Sequence, residues 1–370
     1  MKNIIIIGGG LSGLVTGIRL ANAGIPSTII EKKTYPFHRV CGEYVSNETV
    51  PFLRSLGLYP DDFHPPSINR FQLTSVNGNS AIIPLDLGGF GISRYTFDHF
   101  LFQKATKAGV TFLLDTPAEN ISFAGDRFQV KTSDKTYEAD VVIGAFGKRS
   151  KIDISLGRRF VRKRSPYIAV KYHIRTAHPN DLISLHNFKD GYCGLSNIEN
   201  GKTNLCYLSH RNNLKKYGSI PHMEDNVLFK NPFLKSIFKN SEFVLEKPET
   251  INEISFETKN PVDHHILMTG DAAGMITPLC GNGMAMAIHS AKILSQQVIR
   301  FCQEANYTRN RLERDYAISW RKEFNNRLWV GRQIQRLFGS EWASDFAVNL
   351  AQYSKSLAGF LVKKTHGAPF

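Results

Sequence analysis

Six residues near the start of the chain, Gly8-Gly9-Gly10-Leu11-Ser12-Gly13, restrict its fold more than any other segment. They follow an unbroken β-branched run, Ile4 to Ile7, and open residues 11–23, where Leu11, Leu14, Val15, Ile18 and Leu20 mark the inner face of a helix. Residues 27–31 read as a second buried strand, ending in Glu31, 18 residues after Gly13. Strand, glycine turn, helix and strand make a parallel pair with a right-handed crossover. In such a unit Gly8 permits the tight turn and Gly10 lets a pyrophosphate approach the backbone. Gly13 allows helix and sheet to pack closely, and Leu11 and Ser12 begin a helix whose N–H groups and dipole favour an anion. Glu31, with Lys32 beside it, is placed to meet a ribose. The unit implies a dinucleotide and does not separate NAD from FAD.

Further strands are expected at 68–75, 80–84, 110–114, 167–175, 182–188, 191–197, 203–209 and 265–269, and residues 120–131 and 136–143 suggest a hairpin and then a buried strand, Ala139 to Ile143. Helices are expected at 96–108, 222–239, 282–300 and 304–337, and residues 341–363 are amphipathic. The strand at 265–269 runs into Gly270-Asp271-Ala272-Ala273-Gly274, then Pro278 and Gly281-Asn282-Gly283-Met284 at a helix start. A second glycine turn so late in the chain makes sense if it holds another part of the same ligand. Asp271 can then bind a sugar-alcohol hydroxyl, and the backbone of 281–284 can approach a flat ring.

With these motifs the chain resembles the glutathione-reductase-type FAD oxidoreductases, in the branch of geranylgeranyl reductases, aromatic hydroxylases and flavin halogenases. The resemblance spans about residues 1–300. It implies an α/β fold: a discontinuous Rossmann-type FAD-binding domain (1–70, 92–160 and 262–300), an inserted β-sheet substrate domain (71–91 and 161–261) and a helical C-terminal extension (301–370). Ile92-Ser93-Arg94-Tyr95-Thr96-Phe97-Asp98 is similar to the stretch whose arginine approaches the FAD phosphates, so Arg94 inherits that expectation. Arg39-Val40-Cys41-Gly42-Glu43 is similar to the Cys-Gly segment beside the flavin in geranylgeranyl reductases. Gly191-Tyr192-Cys193-Gly194 with Asn204-Leu205-Cys206 is similar to the strand pair that roofs the flavin, and Cys193 stands where relatives often carry Trp. Ala145-Phe146-Gly147 departs from the hydroxylase pattern, which has Asp where this chain has Phe146. The halogenase signature WxWxIP is absent from the sequence.

The resemblance implies hydride transfer through flavin N5 to a lipophilic or aromatic small molecule, with NAD(P)H open as the electron donor. Two alternatives stand beside it: an NAD(P)H-dependent flavin monooxygenase hydroxylating a phenolic ring, and a non-catalytic flavin-binding electron-transfer protein. Cys41 is either a thiol poised beside the flavin or a small buried hydrophobe. Tyr192 is either a cavity residue or a core aromatic.

Composition narrows the setting. With 42% hydrophobic and 21% charged residues the chain has enough apolar surface for a packed core, which excludes disorder over most of its length. No run of about 18 apolar residues is present, so no membrane-spanning helix is expected. Five cysteines without a CxxC pair, and no signal peptide, point to a cytoplasmic protein. No metal site is expected, because the histidines form no ligand set. The net charge is +14, and residues 148–175 carry ten basic side chains against one acid. That stretch is either a solubilising surface or a face for an acidic carrier protein or an anionic membrane. Nucleic acid is not expected. Trp320, Trp329 and Trp342 lie in the basic C-terminal part, which suits a peripheral position at a membrane surface.

Overall fold

The computed structural model describes residues 2–252, 254–337, 340–353, 359 and 365–370. Ile4–Ile7 lies inside a six-stranded sheet whose order is Val262–Asp263, Ile266–Met268, Val141–Gly144, Ile4–Ile7, Ser27–Ile30, Thr111–Leu113. All pairings are parallel except that of Val262–Asp263 with Ile266–Met268. The four isoleucines are at most 5% exposed, as a parallel strand covered on both faces requires. Each such side chain contributes roughly 1.5–3 kcal/mol by burial. Helix Leu11–Asn22 packs against helices Arg94–Lys107 and Gly283–Gln303. An antiparallel sheet of Ala118–Ala124, Arg127–Thr132 and Thr136–Ala139 adds Phe128 and Val130 to the same core.

The segment 136–143 divides into strands Thr136–Ala139 and Val141–Gly144, so the buried strand begins at Val141 rather than Ala139. They part at Asp140, whose backbone N–H donates to the Asn3 carbonyl and whose carboxylate accepts from the Asn3 N–H at 2.6 Å. The first half pairs with Arg127–Thr132 and the second with Ile4–Ile7.

The second layer is a nine-stranded mixed sheet. Its path runs Glu242–Phe243, Tyr167–Arg175, Lys202–His210, Gly191–Ile198, Leu182–Phe188, Ser67–Thr74, Ser80–Gly91, Tyr44–Ser46, and Glu249–Asn252 pairs with Tyr167–Arg175 off that path. One face carries helices Arg211–Tyr217, Ile220–Asn226 and Pro232–Asn240, packed through Val170, Tyr172, Ile174 and Met223. The helices expected over 222–239 are Ile220–Asn226 and Pro232–Asn240, the second opening at Asn231-Pro232. Asn231 is fully buried, and its amide donates to Thr74 Oγ1, the Ser75 carbonyl and the Asn187 carbonyl at 2.9–3.0 Å, while its side-chain oxygen caps the next helix.

The long basic helix starts later than expected, at Arg309, and runs to Leu337. Leu312, Tyr316, Trp320, Phe324 and Leu328, spaced four apart, are all at most 8% exposed and join the core of the parallel sheet. Helix Glu341–Tyr353 follows and lies against strand Ser80–Gly91. The rest of the amphipathic stretch to residue 363 falls outside the described residues, except Gly359.

Candidate functional site

The two glycine turns lie side by side. Helix Leu11–Asn22 begins at Gly10 with no side-chain cap, so its first N–H groups are left for another partner. A Cβ on Gly13 would collide with the Gly8 carbonyl oxygen, whereas one on Gly10 would meet only the Arg94 guanidinium, at 3.5 Å. Gly13 is therefore a packing residue, and Gly10 faces open space. Ser12 Oγ lies 2.6 Å from Thr269 Oγ1, which lies 2.9 Å from Ser290 Oγ. This chain of hydroxyls joins the first turn to the strand end that opens the second. A Cβ on Gly270 would come within 3.1 Å of Ser12 Cβ, and its φ of +58° suits glycine.

Both turns open on a cavity of about 1160 Å³ between the two large sheets. Gly8, Gly10, Leu11, Ser12, Glu31, Lys32, Arg39, Cys41, Gly42, Arg94, Asp271, Pro278, Gly281, Gly283 and Met284 all line it. Of the expected ligand-binding residues, only Gly13 and Asn282 do not. Asn282 is fully buried and its amide donates to the Thr365 carbonyl at 3.1 Å. Tyr192 faces the cavity, with its hydroxyl 3.4 Å from Gln335 Oε1, and burial pushes its phenol far up. Strand alternation sends Cys193 to the opposite face, into the core under the helices, so Cys193 does not roof the cavity. Gly194 and Cys206, which are paired, hold the cavity side instead.

A charge network runs along the first turn. Arg94 donates to both oxygens of Asp98 at 2.7 Å, and Arg39 reaches Asp98 at 3.0 Å and Glu31 at 3.3 Å. Burial works against the Arg94 charge, but Asp98 and the nearby Cys41 more than restore it. Glu31 accepts from the Gly9 N–H at 2.8 Å, which draws the acidic end of the second strand onto the glycine turn.

Beneath Cys41-Gly42 lies a cluster that the sequence reading missed. Glu43, fully buried, pairs with Lys171 Nζ, with His173 Nε2 at 2.7 Å and with the Arg94 backbone N–H at 2.8 Å. Burial pushes the Glu43 carboxyl up, but Lys171 and His173 outweigh it and bring its pKa down to about 2. Lys171 also donates to the Arg39 carbonyl at 3.1 Å and so ties down the segment that carries Cys41. The sequence held a signal: Lys171 and His173 stand two apart in a strand whose other face, Val170, Tyr172 and Ile174, is apolar. Both are at most 1% exposed.

The basic stretch at 148–175 is only partly a surface. Lys148 donates to the Val40 carbonyl at 3.2 Å beside the cavity. Arg158 is 4% exposed and pairs with Asp153 at 2.8 Å and Asp263 at 3.1 Å. Lys171 belongs to the buried cluster.

A βαβ dinucleotide turn and a second glycine turn opening on one cavity, with a sheet closing the far side, define an FAD-dependent oxidoreductase. The chain belongs to the FAD binding domain family, which matches residues 1–312. It is 25% identical to "Conditioned medium factor receptor 1" of Dictyostelium discoideum over 88% of this chain and 68% of that one. It is 24% identical to "Digeranylgeranylglycerophospholipid reductase 2" of Methanopyrus kandleri over 95% of this chain and 89% of that one. A flavin-dependent brominase of known structure superposes with a TM-score of 0.79 at 19% identity, covering 100% of this chain and 94% of that one. That last likeness is one of fold alone.

The residues present fit FAD. The uncapped helix start at Gly10 suits a pyrophosphate. Backbone is open at Gly42, where a Cβ would have no neighbour within 4 Å, and at Gly283, where it would meet only Ile276 at 3.9 Å. These openings leave room for a flat ring. No helix among the described residues is long and apolar enough to cross a membrane.

Proposed function

We propose that this enzyme reduces a carbon–carbon double bond of a lipophilic substrate held between FAD and the nine-stranded sheet. The observation that carries this reading is the continuity of the cavity. From the phosphate turn it extends to a wall of Phe71, Leu73, Ile83, Leu185, Leu208 and Leu350. Such a wall suits a hydrocarbon chain and offers little to a polar substrate. The digeranylgeranylglycerophospholipid reductase among the relatives supports the same class.

In this reading the parallel sheet with its helices is the FAD domain and the nine-stranded sheet is the substrate domain, which takes in Tyr44–Ser46 and the whole of Ser67–Thr74 besides residues 71–91 and 161–261, because the expected division at 70/71 cuts that strand. The N–H groups at Gly10, Leu11 and Ser12, with Arg94, hold the pyrophosphate, while Gly13 keeps the helix close. Glu31 and Lys32 meet the ribose, and Arg39 is held between Glu31 and Asp98 to neutralise the turn. Asp271 binds the sugar-alcohol chain. Cys41-Gly42, together with Pro278, Gly281, Gly283 and Met284 of the second turn, would hold the ring. When bound and reduced by a nicotinamide donor, FAD would supply the hydride. The protein supplies the proton, from Cys41 or from Tyr192, both of which line the cavity.

The substrate enters past Trp342 and Phe346, which line the cavity yet are 77% and 57% exposed. An anionic membrane surface on the cytoplasmic side fits that apolar rim and the charge of +14. A phenol hydroxylase is disfavoured by Phe146, an apolar cavity residue in place of the hydroxylase carboxylate. Anaerobic turnover with a reduced nicotinamide and a polyprenyl lipid tests the choice. The expected product gains a pair of hydrogens per double bond. Oxygen uptake stimulated by phenols, with an oxygen atom in the product, would overturn the reductase reading.

A further inference from the structure

Residues 365–370 come back to the FAD side of the molecule and occupy a seat built for them. Thr365 is 4% exposed, and its carbonyl accepts from Asn282 Nδ2 at 3.1 Å. Asn282 sits at the start of helix Gly283–Gln303 without capping it, and its side-chain NH2 donates to the Thr365 carbonyl. Glu48, fully buried, takes the Gly367 N–H on its carboxylate and the Phe370 N–H on its backbone carbonyl, the latter at 3.1 Å. Arg327 closes on the same carboxylate at 3.5 Å. The Phe370 ring stacks on His289 with centroids 3.9 Å apart and lies 5.6 Å from Phe52.

The fit is specific to this sequence. A Cβ at position 367 would run into the Glu48 carboxylate and the Arg327 guanidinium, so a larger residue there has to displace that ion pair. Between these anchors Thr365 and His366 form part of the cavity wall. The His366 ring lies edge-on to Tyr44, centroids 6.5 Å apart, and Tyr44 lies 3.4 Å from where a Cβ of Gly281 would stand. His366 therefore stands at the corner of the cavity formed by the second glycine turn.

We infer that residues 365–370 are a strap that completes the flavin pocket at its ring end, with His366 as a flavin-contact residue. The inference rests on the assignment of residues 281–284 to the ring. Chemically, the strap adds a polar, protonatable side chain to a corner otherwise made of backbone and Tyr44, and it shields that corner from water. Its seating couples FAD retention to Gly367, a residue 84 positions from the nearest glycine of the second turn, Gly283.

Two variants test it on the holoprotein. His366→Ala removes the contact and leaves the seat. Gly367→Val unseats the strap. With His366→Ala the melting temperature is expected to stay within a few degrees of wild type, while the flavin absorption bands shift and iodide quenching of flavin fluorescence rises. With Gly367→Val, FAD binding is expected to weaken by about tenfold, the equivalent of about 1.4 kcal/mol. Unchanged bands, quenching and FAD affinity in His366→Ala would overturn the inference, whatever happens to the fold of the other variant. A wild-type protein that takes up no FAD would remove the cofactor assignment itself, and the strap with it.

Discussion

The two ends of the cavity are built differently. At the phosphate end, the turn 8–13, Glu31, Arg39, Arg94 and Asp98 come from the first hundred residues, and each contact joins neighbouring elements of one sheet and helix layer. At the end proposed for the ring, Cys41-Gly42 rests on Glu43, Glu43 rests on Lys171 and His173, and Gly281, Gly283, Met284, Thr365 and His366 also line the cavity. The first end is a motif held by local geometry. The second is an assembly of distant segments held by buried charge. The phosphate end should therefore fail by losing the cofactor outright, and the ring end by losing stability or turnover, with only a weakened grip on FAD where residues 365–370 are unseated.

The largest effect is expected at the phosphate end. Gly13→Val drives a branched side chain into the Gly8 carbonyl, and the variant should purify colourless, as read by flavin absorbance. Retention of stoichiometric FAD would show that the close helix–turn packing is dispensable.

Next comes Glu43→Gln, which leaves Lys171 buried beside a neutral amide. Breaking a buried pair in this way costs about 3–5 kcal/mol, measurable by urea denaturation. Replacing both partners, Glu43→Leu with Lys171→Met, should cost less than the single change, because no uncompensated charge remains. The pH dependence sharpens this. With its folded pKa lowered from 4.5 to about 2, Glu43 adds stability that is present above about pH 4.5 and is lost as pH falls towards 2. In Glu43→Gln the part of the acid slope due to this group should vanish.

The smallest effect is expected from Cys41→Ala. Turnover should fall by about tenfold, roughly 1.4 kcal/mol of barrier, with FAD content and melting temperature unchanged. Full turnover would leave the proton to Tyr192 and remove the thiol's role.

The same contrast governs what was legible in the sequence. The dinucleotide unit could be read because strand, turn, helix and acidic residue lie within about thirty positions and each has its own physical reason. The second turn could be read because it repeats that logic at 265–284. The Lys171–His173–Glu43 cluster was missed because a strand pattern reports which face a residue takes and not what opposes it across 128 positions of chain. Cys193 was assigned to the cavity roof from a motif likeness, although period-two alternation places it on the face opposite Tyr192. Where the helices of 222–239 divide could not be read, because the buried Asn231 amide that precedes the second one bonds Thr74, Ser75 and Asn187, far off in the chain, which no local propensity encodes.

The central claim is that the turns at 8–13 and 281–284 grip opposite ends of one FAD. A crystal structure of the protein purified with FAD tests it most directly. The expected map places the pyrophosphate within hydrogen-bonding distance of the N–H groups that begin at Gly10, and the ring against Gly281 to Met284 with Cys41 across from them. Density that engages only one of the two turns, or lies outside the cavity between the sheets, would contradict it.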